Sequence, residues 1–174
     1  MPSMGDSRFE RAVIFICAHS DEGAMGLIIN KPARELDFAT LLDHLNIPRA
    51  PAGRDIRVLF GGPVERSRGF VLHSGDYLQG PASMQVQGGL VMTATQDILE
   101  ALAQGSGPKE VLVALGYAGW GPGQLEAEIA RNDWLVTEGG SDLIFAPDHT
   151  AKWTAALKTL GVNPLLLSAT GGRA

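Results

Sequence analysis

The sequence has 174 residues, 45% of them hydrophobic and 19% charged, with a formal net charge of −5. At roughly 100–200 residues per domain, residues 1–174 form one globular domain, large enough to bury about 70% of its unfolded surface without a disulfide or metal staple. The apolar content excludes a disordered chain, no apolar run approaches the roughly 18 residues of a membrane span, and a single cysteine, Cys17, points to a reducing cytoplasm. The charge is uneven: residues 1–68 carry 9 basic and 9 acidic side chains, and residues 69–150 carry 2 and 10. Without a basic run, this balance argues against a protein that holds nucleic acid by neutralising phosphates.

Residues 11–18 (RAVIFICA) and 24–29 (AMGLII) are apolar runs across a polar turn at 19–23, a pattern that predicts an N-terminal β-hairpin. Pro32 ends the second strand, because proline cannot donate to a ladder. Asp37 then caps a helix in which Phe38, Leu41, Leu42 and Leu45 recur at helical spacing, and Pro48 closes it. Strand signals follow at 57–60, 69–73, 84–86 and 89–92. Thr95 reads as the N-cap of a helix over 96–103, with Gly105 beyond its end. Residues 111–115 (VLVAL) predict a strand buried on both faces, followed by a glycine-rich loop at 116–123 and a helix at 124–132. Residues 143–146 read as a last strand, and 149–160 as a final helix with Trp153, Ala156, Leu157 and Leu160 turned inward and Gly161 as its stop. The expected fold class is α+β, a single compact domain with a mixed, largely antiparallel sheet, an N-terminal hairpin and about four helices.

Three segments invite chemistry. A strand, a glycine-rich loop holding Trp120 and a helix can hold an anion at the helix N-terminus, but the spacing matches neither GxxxxGK[ST] nor GxGxxG. The favoured reading is a tight connection in which Trp120 plugs the core. Gly61-Gly62-Pro63 lets a backbone approach a ligand closely, with charge supplied nearby by Glu65, Arg66 and Arg68, but is favoured as a hairpin connection with a charged tip. The histidines, His19, His44, His73 and His149, show no metal-ligand spacing, so no metal and no cofactor are expected. His73 at a strand end and His19 at a turn have the chemistry of an acid or base, although each is favoured as a partner of its own loop. GxSxG is absent, and neighbours such as His19, Ser20 and Asp21 do not form a triad by adjacency. Cys17 reads as a small buried hydrophobe. Glu126 and Glu128, two apart on a helix, read as a solvated face.

Residues 24–32 (AMGLIINKP), 61–63 (GGP), 68–74 (RGFVLHS) and 113–120 (VALGYAGW) with Gln124-Leu125-Glu126 together closely resemble the AlgH/YqgE family. The resemblance runs from Met1-Pro2 through Phe9-Glu10-Arg11 to Lys152-Trp153 and Leu160-Gly161-Val162. It implies a small bacterial cytosolic protein with a compact α+β fold, and transfers no catalytic residue. One branch of the family is called a transcriptional regulator of alginate production. Family members usually carry a further apolar strand ahead of the segment matching Met1-Pro2, so the resemblance also implies a sheet edge left open at the start of this chain.

Two functional readings follow. The first is a non-catalytic regulatory or ligand-binding protein acting in bacterial gene expression through a small molecule or protein partner, without direct DNA reading and without a membrane. The second is an enzyme or small-anion-binding protein with a pocket around Asn30, Lys31 and His73, Lys31 being the anion partner and His73 the acid or base. Gly61, Gly62 and Trp120 complete the expected ligand-binding set.

Overall fold

The computed structural model describes residues 6–77 and 82–163. Its elements run β1 (Ile14–Ser20), β2 (Gly23–Ile28), α1 (Phe38–His44), β3 (Val58–Phe60), β4 (Val64–Ser74), β5 (Ser83–Gln85), β6 (Leu90–Thr93), α2 (Gln96–Ala103), β7 (Val111–Trp120), α3 (Gln124–Ala130), α4 (Ser141–Ile144) and α5 (Lys152–Thr159). One mixed sheet takes the strands in the order β1-β2-β7-β4-β6-β5, with β3 also paired to β7. Among the described residues only the β3–β7 pair is parallel. The α+β expectation therefore holds, with five α-helices among the described residues where about four were expected. None of them is long and apolar enough to cross a membrane.

Strand β7 is the axis. On one edge it pairs with β4, Val71 opposite Val113 and Gly69 opposite Leu115. Its other edge is divided: β3 runs parallel to the first half, with Val58 opposite Val113, and β2 runs antiparallel to the second half, with Gly26 opposite Ala118. Alternation of side chains along β7 sends Val113 into a layer closed by Phe38, Leu41 and Leu42 of α1 and Ile98, Leu99 and Leu102 of α2. Leu112 and Ala114 enter the opposite layer with Leu27, Leu59, Phe70, Leu72 and Ile144.

The expected glycine loop at 116–123 is corrected: residues 116–120 continue β7, and only Gly121 to Gly123 connect to α3. The charged tip is corrected too, since Glu65, Arg66 and Arg68 lie within β4, which begins at Val64 and not at 69. Gly61 and Gly62 form no hairpin turn. They carry the chain from β3 on one edge of β7 to β4 on the other, across the backbone of residues 116–118. The third correction is at 143–146, part of which forms the short helix α4. Ile144 N–H donates to Gly140 O at 3.2 Å and Phe145 N–H to Ser141 O at 2.8 Å. A short apolar run does not distinguish a strand from one buried helical turn.

The hairpin β1–β2 forms, with a two-residue connection between Ser20 and Gly23 and a register shift between Ile16 and Ala18. Asp37 caps α1 as read, accepting the Thr40 N–H at 2.7 Å. Thr95 occupies the N-cap of α2, but its hydroxyl turns to the Asp97 carboxylate. Among the described residues β1 pairs only with β2, so the outer edge of β1 has no strand beside it. Met1 and Pro2 lie outside the described residues.

Candidate functional site

Beyond β2 the chain runs back along β3: Phe60 N–H donates to Lys31 O at 2.8 Å, Pro32 bridges Leu59, and Ala33 N–H donates to Val58 O at 2.9 Å. This places Asn30 and Lys31 on the wall of a groove of about 840 Å³ whose lining includes Arg34, Phe60, Pro63 and Arg66. Asn30 is buried, and its amide fixes that wall. Its Oδ1 accepts the Val13 N–H at 2.8 Å, and its Nδ2 donates to Arg11 O at 2.9 Å. The Lys31 ammonium donates to Arg8 O at 2.7 Å, a neutral acceptor that orients the charge without cancelling it.

Arg66 reaches the groove because β4 bulges. Strand β4 advances five positions, from Val64 to Gly69, while β7 advances two, from Tyr117 to Leu115, and Glu65 takes up the excess at a left-handed φ of +46°. Gly116, at φ +70°, admits the bulge: a Cβ there would lie 2.5 Å from Gly62 O, 2.8 Å from Val64 O and 3.2 Å from Arg66 Cα. The Arg66 guanidinium lies over the Phe60 ring, 5.8 Å from its centroid, while Glu65 turns away to Arg68 at 3.1 Å.

The lining carries Arg8, Lys31, Arg34 and Arg66 against Glu35. Arg8 is spent on Asp6 at 2.6 Å. Among the described residues, none of Lys31, Arg34 and Arg66 has a carboxylate within ion-pair distance. Partial burial pulls the Lys31 ammonium below its ordinary range, against the opposing pull of Glu10 and Asp6.

The other expected site residues lie elsewhere. His73 is fully buried and does not line this groove, so the common pocket with Asn30 and Lys31 is divided. Its Nδ1 lies 2.9 Å from Ser74 O, which can only accept, so Nδ1 carries the proton. Nε2 then accepts from the Thr93 hydroxyl at 3.0 Å, and Thr93 Oγ1 accepts from Ser83 Oγ at 2.9 Å. Burial holds the His73 imidazole neutral, lowering its pKa. Gly61 and Gly62 form the crossover behind Pro63. Trp120 borders a second, mostly apolar groove of about 700 Å³ that runs along β1 and is walled by Trp134, Leu143 and Leu157.

Several residues escaped the sequence reading. Glu128 is no solvated carboxylate: its Oε2 accepts both the Trp120 indole N–H at 2.9 Å and the Trp134 indole N–H at 2.8 Å. Glu126 does face solvent, where it meets His19. Lys152 is buried with no carboxylate partner among the described residues, its Nζ donating to Ile29 O at 3.0 Å and Ile144 O at 2.5 Å. Burial pushes it down to about 8. Its i, i+4 spacing to Ala156, which the helical pattern turns inward, is a usable signal. Arg34 carries no local signal, and Arg66 shows in the sequence only as charge beside Gly61-Gly62-Pro63, because a β4 bulge and a crossover bring them to the groove. Cys17 is buried as read, and burial raises its thiol to about 12. Among the described residues no group of three or more His, Cys, Asp or Glu side chains is placed to hold a metal.

Residues 1–165 match the family described as DUF179, AlgH-like. The chain is 63% identical over 174 residues to a UPF0301 protein of Cereibacter sphaeroides strain ATCC 17029, covering 100% of this chain and 95% of that protein. It is 55% identical over 175 residues to a UPF0301 protein of Ruegeria pomeroyi, with coverage of 100% and 95%. Its fold is similar to the solution structure of the AlgH protein from Pseudomonas aeruginosa, at 41% identity and a TM-score of 0.79, covering 100% of this chain and 92% of that one.

Proposed function

Since the chain belongs to the AlgH-like family, we propose that it is a cytoplasmic regulatory protein that catalyses no reaction, binds a small anion in the groove around Phe60 and acts in gene expression through a protein partner. The observation that carries this reading is the set of cations at one groove, Lys31, Arg34 and Arg66, with no carboxylate in ion-pair distance among the described residues. Cations left unpaired beside an aromatic floor form a receptor for negative charge. A direct DNA reader would present a basic element to a groove of the duplex, and residues 69–150 instead carry 10 acidic side chains against 2 basic ones.

The alternative of a pocket built on Asn30, Lys31 and His73 has less support, because both nitrogens of His73 are committed inside the core. The test is a thermal-shift and calorimetric titration with phosphate, sulfate and small carboxylates, on the wild-type chain and on the double variant Arg34→Ala/Arg66→Ala. An anion that raises the melting temperature of the wild type and not of the variant is the expected result, since a ligand of the folded state stabilises it by mass action. Failure of every anion to bind, or tight sequence-dependent retardation of promoter DNA at physiological salt, would overturn the reading.

A further inference from the structure

The groove supplies more than charge. An inorganic anion needs only the cations, yet the Arg66 guanidinium also stands over the Phe60 ring, within cation–π reach at 5.8 Å from its carbon to the ring centroid. A guanidinium is planar and weakly hydrated, so an exposed one beside an aromatic ring suits a second flat ring. The pair is held by backbone that is expensive to keep. Glu65 sits at φ +46°, a conformation that side chains other than glycine rarely adopt, and Gly116 is left without a Cβ 3.2 Å from Arg66 Cα. Strain of this kind persists where the surrounding structure imposes it, and here it delivers one side chain to one groove. Pro32, Pro63 and Leu115 add apolar wall, and Lys31 and Arg34 stand on the same lining as point charges. A flat ring, an apolar wall and separate cations together match an aromatic ring that carries a phosphate. The volume of about 840 Å³ falls within the range of about 300–1,000 Å³ usual for small-molecule sites.

We propose that the groove binds a nucleoside phosphate, its base stacked on the Arg66 guanidinium above Phe60 and its phosphate at Lys31 and Arg34. This rests on the anion-binding reading above and adds the class of ligand.

The experiment compares AMP and GMP with ribose 5-phosphate and inorganic phosphate by isothermal titration of the full chain, in the wild type and in Arg66→Lys. That variant keeps the charge and removes the flat face, and Arg66 is exposed, so folding is preserved. At least one nucleotide is expected to bind the wild type ten-fold or more tighter than ribose 5-phosphate. Arg66→Lys is expected to abolish that advantage, so that nucleotide and ribose 5-phosphate bind the variant within about two-fold of each other. Equal affinity for nucleotide and sugar phosphate in the wild type overturns the nucleotide assignment and leaves anion binding standing. A nucleotide advantage that survives in Arg66→Lys also overturns it, because the base is then held elsewhere. Absence of binding by all four probes overturns the assignment, and if sulfate and the small carboxylates also fail to bind, the reading beneath it falls too.

Discussion

Gly62 lies directly over the Tyr117 peptide, so that a Cβ on Gly62 would overlap the Tyr117 carbonyl carbon and oxygen. The contact is backbone on backbone, with no flexible side chain to yield. It exists because the chain must change from one edge of β7 to the other within Gly61, Gly62 and Pro63. The glycine pair thus has a structural cause that precedes any ligand.

Replacing Gly62 with alanine forces the crossover off β7 and is expected to cost about 3 kcal/mol or more, at the upper end of overpacking effects. Gly88→Ala is the internal reference: Gly88 has φ +72° with nothing within 4 Å of an added Cβ, so it carries only left-handed strain of about 1–2 kcal/mol. Urea denaturation midpoints of the two variants, compared with the wild type, check the difference.

His73 makes folding sensitive to acid. Burial lowers its pKa in the folded state, so between that value and the unfolded one, about 6.5, the unfolded chain takes up a proton that the folded chain refuses. Stability from this residue is complete above pH 6.5 and declines as the pH falls below it. Protonation would also set a donor at Nε2 against the Thr93 hydroxyl proton. Thr93→Val, which removes the hydroxyl donor to Nε2, is expected to destabilise by about 1–2 kcal/mol at pH 7.5. Denaturation curves at pH 7.5, 6.0 and 5.0 for wild type and His73→Gln measure the effect, the variant showing the smaller loss.

Lys152 acts at the alkaline end. Its folded value of about 8 lies below the ordinary 10.5, so between these limits the unfolded state binds more protons and stability rises with pH, by up to about 3 kcal/mol. Lys31, also lowered, adds to the rise, whereas Cys17, raised to about 12, opposes it from about pH 8.5 upward and Tyr77, raised by burial, opposes it near pH 10. Chemical denaturation at pH 7.5, 8.5 and 9.5 is expected to show a steeper rise for the wild type than for Lys152→Met. Parallel slopes would place the charge of Lys152 in water.

Much of the architecture was legible because it follows from local periodicity. Phe38, Leu41 and Leu42 repeat at the helical period behind a capping Asp37, and the two runs across residues 19–23 could pair only as a hairpin. Glycines at 116 and 119 read as a loop because a glycine-rich segment ordinarily turns, yet here Gly116 continues a strand so that another backbone can pass over it. Residues 143–146 read as a strand because four apolar positions have no period to measure. Of the expected site residues, Asn30 and Lys31 share the groove, since both follow β2 directly. His73 and Trp120 belong to other parts of the molecule.

The sequence by itself determined the single α+β domain, the hairpin, the caps, the acidic segment and the family, because each is written in composition, short-range spacing or ordered motifs. Only the tertiary structure decided that Arg34 and Arg66 meet Lys31 at Phe60, that Glu128 takes two indole protons and that Lys152 is buried beneath Ile29 and Ile144. These are contacts between residues distant along the chain. They are set by strand order, by a crossover and by a bulge, none of which leaves a period in the sequence.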